Sequence, residues 1–432
     1  MEVSLHGALR RAAVLAVALA TAAVLIWQAG TLWLARHRMD SKRMDLVEGG
    51  AALAPGNAEA WDRLGRLRQW DLGNADPAQA IAAYEKAVRA NPRSAHYWMD
   101  LASGYEAAGD DVRARDAFGH ALAVYPASAE VAFYYGNFLL RRQDYPAAYQ
   151  ELHRAVQADP SLLPLAISRA WRANGDVPAL LDQMLPADAD AYLQAVDFFA
   201  SIRQAEPALA VWQRLMKLRQ PVALSRTFPF LEELIDEDRA GDARRVWREA
   251  LGAAGLPNQE PGNGSLVWNG DFQKDFAEGG LDWRWNMPLG VSIDFDTAPG
   301  PNHSRAVRLD FGGGTNLQLS APLQYVAVEP GRSYHFRAYL RTSEITTESG
   351  VHFEITDPNH GGAVNVLTED FTGTRPWTAV EAEVTTGPET RFLLVRLARV
   401  PSRLFENKLS GTAWMADVSL VPASPAGERA PQ

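Results

Sequence analysis

Residues whose types could support catalysis are few in this chain, and their spacing does not suit it. The absence of cysteine excludes disulfides, thiolate metal sites and a cysteine nucleophile. Glu354 and Asp357 come nearest to a glycosidase carboxylate pair, but residues three apart on one strand point to opposite faces. The glycine run 312–314 precedes no helix pattern that could bind phosphate. With no nucleophile elbow, phosphate loop or dinucleotide motif, we expect no enzyme, although carboxylates from distant loops stay an alternative.

Composition places the chain among multidomain globular proteins. Its 432 residues are 47% hydrophobic and 22% charged, too long for one simple domain and too apolar for a disordered chain. The formal net charge of -10 provides no general basic surface for DNA or RNA. We therefore expect no nucleic-acid partner.

Residues 12–35 form an uncharged, largely apolar segment that follows a short N-terminal tail, residues 1–11. As a helix this segment would be roughly 36 Å long, enough for a hydrocarbon core of about 30 Å. Arg10 and Arg11 precede it, and basic residues also follow it, so its flanks leave the orientation open. A signal peptide cleaved after residues 20–22 is the alternative, but the apolar stretch continues beyond Ala23. We expect a transmembrane anchor.

A repeat of 34 residues follows, marked by small residues and by prolines. The recurring positions are Ala80, Ala114 and Ala148, and Pro92, Pro126 and Pro160. Around them the second repeat carries Trp98, Leu101, Ala102, Tyr105, Gly109, Phe118 and Ala121, a pattern that resembles the tetratricopeptide repeat (TPR). The first repeat has a short insertion at residues 72–76. Degenerate copies at Ala208-Trp212-Leu215, at Ala243-Trp247-Ala250 and in residues 162–186 extend the expected all-α solenoid over residues 51–255, clearest over 58–160.

The TPR resemblance implies a groove, lined by the first helix of each repeat, that holds peptide segments of other proteins. Carried over residue by residue, its groove positions are Arg66, Gln69, His96, Met99, Ser103, Glu106, Phe133, Asn137 and Arg141. The alternative is that these side chains only cover solvated helix faces. His96, His120 and His153 are expected to be separate surface residues and not a metal cluster.

After a Pro/Gly-rich stretch, residues 256–265, the periodicity changes to that of strands. Apolar and polar residues alternate in short segments bounded by turn residues, without intervening helix patterns. The segments are residues 291–295, 306–311, 334–340, 351–355, 378–384, 392–397 and 414–421. Seven such strands predict a β-sandwich over residues 266–422, followed by a flexible tail, residues 423–432.

Four segments give this region a family resemblance. They are residues 267–272 with 280–283, 306–311, 328–334 and 416–420, whose order resembles jelly-roll carbohydrate-binding modules of the CenC type, within the galactose-binding-like sandwiches. The resemblance implies sugar stacking on aromatic rings, for which Trp283, Trp285, Tyr325 and Trp377 are the candidates, with core packing as the alternative for each. Trp268 and Trp414 are expected in the core.

The same resemblance implies a structural calcium ion in some members, for which Asp271 and Asp417 are the candidate ligands. The chain departs from that pattern at Gln273 and Ala416, which weakens the calcium expectation.

Together these patterns predict a multidomain protein with a transmembrane helix, an all-α TPR-like solenoid and an all-β jelly-roll sandwich. By fold-level analogy we expect an extracytoplasmic scaffold in exopolysaccharide or surface-glycan assembly. Its expected partners are other envelope proteins in the groove and a polysaccharide on the sandwich. A protein scaffold whose sandwich binds no sugar is the alternative, and a glycan-active enzyme is a third.

Overall fold

A computed structural model describes residues 8–41, 43–70, 75–256 and 261–423. The chain divides into two compact units, Met1–Pro186 and Ala187–Gln432. Parts of the expected N-terminal tail, of the insertion at residues 72–76, of the linker 256–265 and of the tail 423–432 lie outside the described residues.

The first unit begins with the helix α1, Ala8–Met39, which contains the whole apolar segment. Its stretch Arg11–Met39 is long and apolar enough to cross a membrane by length and composition, and its most apolar part is not buried in the protein. Trp27 is 74% exposed and Trp33 is 68% exposed. The end of α1 is different, because Met39 packs with Val47 of α2, Met44–Leu53, and with Trp61.

Three regular helix hairpins follow. They are α3, Ala58–Trp70, with α4, Pro77–Ala90; α5, Ala95–Ala107, with α6, Asp111–Val124; and α7, Ala129–Arg141, with α8, Tyr145–Ala158. Pro92, Pro126 and Pro160 each stand two residues after the end of the second helix, as their inability to continue a helix requires. The TPR-like array predicted from the 34-residue spacing is confirmed.

Small residues at fixed positions let the paired helices approach closely. Ala80, Ala114 and Ala148 are fully buried. A Cβ on Gly65 would lie 2.5 Å from the ring of Tyr84, so only glycine fits there without a shift of the ring. Phe118 and Tyr135 stack at 5.1 Å and fill the space between consecutive hairpins.

The first unit ends with a less regular pair. The helix α9, Leu163–Asn174, stops at Gly175, which adopts a left-handed φ of 70°. The short helix α10, Val177–Ala179, continues into one π-helical turn, Leu180–Met184. Residues 162–186, predicted as a degenerate repeat, are therefore helical but irregular.

The second unit begins with two helix hairpins and continues into the strands. Its helices are α11, Ala189–Ser201; α12, Ala205–Leu218; α13, Phe228–Asp236; and α14, Ala240–Ala253. Trp212 and Trp247, on which the degenerate repeats were identified, are both buried between helices. The predicted helical hairpins are confirmed here.

Nine strands form two antiparallel sheets. They are β1, Val291–Phe295; β2, Val307–Gly312; β3, Leu319–Ala327; β4, Ser333–Ile345; β5, His352–Thr356; β6, Asn365–Leu367; β7, Gly373–Thr385; β8, Phe392–Arg399; and β9, Ser410–Pro422. The first sheet has the order β1-β2-β9-β4-β7 and the second β3-β8-β5-β6. A continuous apolar core, including Phe336, Phe353 and Leu393, lies between them, which confirms the sandwich.

Within this unit the sandwich packs directly on α13 and α14. Trp247 of α14 meets Trp268 edge to face at 6.1 Å. Gly280 leaves room for the Trp247 ring, since a Cβ there would lie 2.5 Å from it. Arg284 pairs with Glu232 of α13 at 2.6 Å. The last helices and the strands consequently share an interface.

Candidate functional site

A cavity of about 610 Å³ runs along the first helices of the regular repeats in the first unit. Predicted groove residues that line it are Arg66, Gln69, His96, Met99, Ser103, Glu106 and Arg141. Its other walls include Trp70, Tyr84, Asp100, Phe118, Glu130 and Tyr134. The exposed rings of Trp70 and Tyr134 provide apolar contact, and charged side chains surround them.

The repeat itself sets the geometry of this groove. Residues 34 or 35 apart occupy equivalent places on neighbouring first helices, so their side chains meet. Gln69 donates to the Ser103 Oγ at 3.0 Å and to the Ser103 carbonyl at 3.2 Å. Arg141 donates through Nε and Nη2 to the two carboxylate oxygens of Glu106, both at 2.7 Å. Such bidentate ion pairs fix the orientation of both side chains as well as their separation.

Gln69 joins three helices. Besides its bonds to Ser103 on α5, its Oε1 accepts a hydrogen bond from the Tyr84 hydroxyl of α4 at 2.8 Å. Tyr84 is almost completely buried, and this burial raises the pKa of its hydroxyl. A neutral hydroxyl that donates to an amide oxygen is therefore a fixed part of the groove wall.

An acidic cluster lies in the same groove. Asp62 of α3 is buried, and Arg66 Nη2 lies 2.9 Å from its Oδ2. His96 Nε2 lies 3.4 Å from Asp100 Oδ2 and 3.9 Å from Asp62 Oδ2. Burial, and then the neighbouring Asp100 carboxylate, raise the pKa of Asp62 well above the ordinary value of an aspartate.

Two predicted groove residues lie apart from this cavity. Phe133 lines a second cavity of about 590 Å³ together with Tyr134 and Leu165. Asn137 is 9% exposed, and its Nδ2 donates to the Phe133 carbonyl of its own helix at 2.8 Å. Asn137 thus has little surface to offer a partner.

Sequence reasoning missed the two aspartates of the acidic cluster. Asp62 lies four residues before Arg66, and Asp100 four residues after His96, which are spacings that place side chains on one helix face. The separations from Asp62 to His96 and from Arg66 to Asp100 are both 34. These two spacings, taken together, were the available signal.

In the sandwich, the prediction that Trp283 stacks on sugar is wrong. Trp283 is fully buried in the core, in contact with Phe272 and Phe276, so its ring faces are inaccessible. Trp268 and Trp414 are buried as predicted. Trp414 does not face the space between the sheets, however, because its strand neighbours Ala413 and Met415 do.

Two other sugar candidates are partly covered. The ring of Tyr325 has the guanidinium of Arg284 over it at 4.9 Å. Trp285 is half-buried against Phe276 and Phe295, and its Nε1 donates to Glu278 at 2.7 Å. Neither ring presents both faces to solvent.

Trp377 belongs to an aromatic cluster on the outer face of the five-stranded sheet. It is half-buried and packs with Tyr339 and Trp414. The guanidinium of Arg341 lies over the Trp414 ring at 4.6 Å. This face combines aromatic surface with hydrogen-bond donors.

The candidate calcium ligands lie near the paired backbones of Gly270 and Val418. The Asp271 carboxylate accepts from the backbone N–H of Gln273 at 3.3 Å, and Asp417 accepts from Asn302 Nδ2 at 2.6 Å. Among the described residues, three side chains whose possible metal-ligand atoms all lie within 4.8 Å of one another are found in the groove and not here; they are Asp62, His96 and Asp100. Calcium at Asp271 and Asp417 stays a prediction.

No protein-family model and no curated protein sequence matches the chain. Solved structures similar to it include YrrB, described as a TPR protein with an unusual peptide-binding site, at 19% identity and a TM-score of 0.27, covering 41% of this chain and 93% of YrrB. PilW, a type IV pilus biogenesis factor, is 20% identical with a TM-score of 0.26, covering 45% and 92%. A CBM4 structure is 16% identical with a TM-score of 0.26, covering 36% and 99%. Likenesses this low carry no argument about function.

Proposed function

We propose that this protein is a non-enzymatic, membrane-anchored scaffold whose TPR groove holds an extended segment of a partner protein. The single observation that carries the proposal is the cavity of about 610 Å³ along α3, α5 and α7. Side chains of consecutive repeats line this cavity, so a bound segment would contact several helices at once.

The chemistry of the groove suits a polypeptide. The exposed rings of Trp70 and Tyr134 supply apolar surface for side chains, and Glu106 and Arg141 supply charged rims. Peptide recognition by grooves combines such apolar pockets with a few polar groups that fix direction. Reactive chemistry is not needed for this role.

The helix α1 supplies the proposed attachment to a membrane. Its apolar side chains from Val14 to Trp33 are mostly exposed, whereas its end is packed into the first unit through Met39. A span of this kind would hold the groove near a membrane surface. We place the bulk of the chain outside the cytoplasm, where surface-glycan assembly takes place.

A selection from a random peptide library on the full chain in detergent tests the groove. Ala107 is exposed at the groove, and Ala82 is exposed on α4 away from it. Ala107→Arg therefore blocks the groove, while Ala82→Arg makes the same substitution elsewhere. We expect selected peptides to bind the wild type and Ala82→Arg but to lose most of their affinity for Ala107→Arg.

Peptides that bind both variants equally would contradict the groove as the binding site. A selection that enriches no peptide at all would count equally against it.

A second candidate function is glycan binding by the sandwich, which the Trp377, Tyr339 and Trp414 cluster favours. Tyr and Trp rings combine an apolar face with a polar group, and such side chains are enriched at binding interfaces. A glycan array with the full chain should then show binding that Trp377→Ala abolishes and Trp285→Ala preserves. Loss in both variants, or binding that neither affects, would contradict this assignment.

A further inference from the structure

The acidic cluster in the groove is built from two neighbouring repeats. Asp62 and Arg66 lie on α3, and His96 and Asp100 lie at the equivalent places on α5. One ligand atom from each of Asp62, His96 and Asp100 lies within 4.8 Å of the others. The protein thus presents one imidazole nitrogen and two carboxylates to a common point.

Asp62 is the unusual member of this cluster. It is 0% exposed, and neither of its carboxylate oxygens receives a hydrogen bond of good geometry. Asp100 Oδ2 is also buried without a hydrogen-bond donor. Buried carboxylates are ordinarily paired or bound to a metal, because an uncompensated buried charge is very unfavourable.

Arg66 compensates only part of this charge. Its Nη2 lies 2.9 Å from Asp62 Oδ2, but its Nε is 3.7 Å from Asp100 Oδ2. Two carboxylates thus face one guanidinium, whose side chain is 47% exposed. Other titratable neighbours, Glu59, Tyr84 and Tyr97, add no further cation. An ion of charge +2 would balance the two aspartates in their ionised forms, which are the forms that bind a metal.

The distances fit a small transition-metal ion. Bonds of about 2.0–2.1 Å in tetrahedral geometry place ligand atoms roughly 3.3 Å apart. The separations of His96 Nε2 from the two aspartate oxygens, 3.4 and 3.9 Å, are close to that value. A histidine nitrogen with two carboxylates favours zinc or a similar metal over calcium or magnesium.

We propose that Asp62, His96 and Asp100 bind one divalent transition-metal ion of the zinc type in the groove. Each residue supplies one ligand atom, and Arg66 turns outward to solvent as the ion replaces it. The fourth coordination position then faces the groove, open to water or to a donor atom of a bound segment. Metal binding by these residues does not require that the groove binds peptide.

Calorimetric titration of the metal-free full chain, in detergent, with Zn²⁺ alone tests this site. Co²⁺ absorption reports the coordination geometry independently. His96→Ala removes an exposed ligand and should weaken binding by at least about tenfold, the loss that even outer-shell changes cause at metal sites. His120→Ala is the matched control, because His120 is a repeat histidine that stacks on Trp98 outside the cluster.

Arg66→Gln should change the Zn²⁺ affinity in the opposite direction to His96→Ala. Because it removes the competing cation while both aspartates stay in place, we expect tighter Zn²⁺ binding than in the wild type. This gain separates a metal site from a folding defect, since a damaged protein would lose affinity.

The proposal is overturned if the wild type does not bind Zn²⁺ or if His96→Ala binds as tightly as His120→Ala. Weaker binding by Arg66→Gln than by the wild type would also overturn it. Peptide selection in the absence of metal separates this outcome from a failure of the groove itself.

Discussion

At the scale of single residues, side chains 34 or 35 positions apart determine the groove. Gln69 with Ser103 and Glu106 with Arg141 were predicted as groove residues, and each pair is in contact. The repeat register made this predictable. The burial of each side chain was not predictable in the same way, since a shift of one position along a helix rotates the side-chain direction by about 100°. Asn137 consequently turned out to be nearly buried.

The Gln69–Tyr84 hydrogen bond supports a prediction about stability. In Gln69→Ala the buried Tyr84 hydroxyl loses its acceptor, and we expect a loss of about 1–3 kcal/mol. Tyr84→Phe should cost less, because Gln69 at the groove can bond to water. In the double variant the hydroxyl is gone, so the two costs should not add. Chemical denaturation of the four proteins measures this, and strict additivity would argue against the bond.

At the scale of helices and strands, periodicity predicted most elements. Seven strands were anticipated, and β3 and β6 were missed. In β3 the adjacent residues Ala321 and Pro322 are both buried, so the polar–apolar alternation that identifies a strand is absent. The strand β6 has only three residues, too few to show a pattern. Trp283 was misassigned for a related reason, because it lies outside any strand whose alternation would have shown its direction.

Replacement of two helical glycines by alanine should change the stability of the protein in opposite directions. Gly65→Ala places a Cβ 2.5 Å from the Tyr84 ring and should destabilise the array by about 1–3 kcal/mol, as overpacking does. Gly119 in α6 has no atom within 4 Å of that position, so Gly119→Ala should stabilise by up to about 1 kcal/mol through helix propensity. Melting temperatures test both, and equal shifts would contradict the close approach of α3 and α4.

The helix α1 should persist in the mature protein. Its apolar exposed surface continues past residues 20–22 to Trp33, and its end packs against α2, which favours an anchor over a cleaved leader. Intact-mass analysis of protein extracted from membranes should therefore give a mass that includes residues 1–22. A chain that begins after residue 22, recovered without detergent, would contradict the anchor.

At the scale of the whole molecule, composition and periodicity were sufficient to predict three kinds of structure in order along the chain. The packing of the sandwich on α13 and α14 was not predictable, since it depends on shape. Gly279 and Gly280 leave room for Phe228 and Trp247, and Arg284 reaches Glu232. None of these contacts has a periodic signature in the sequence.

This interface predicts shared unfolding within the second unit. Trp247 of α14 is covered partly by Gly280 and Trp268, so α14 should lose protection when the sandwich opens. Native-state hydrogen exchange on the full chain should give similar opening free energies for α14 and β3. Rapid exchange throughout α14 with β3 still protected would show that the helix opens independently of the sandwich, and it would contradict shared unfolding.

In the proposed function, the groove holds a segment of a partner protein beside a membrane. Photo-cross-linking in the source cells tests this, with a photoreactive residue at Ala107 in the groove or at Ala82 on the outer helix α4. We expect a discrete protein adduct, in the membrane fraction, from position 107 and none from position 82. Adducts of the same pattern from both positions, or none from position 107, would contradict it.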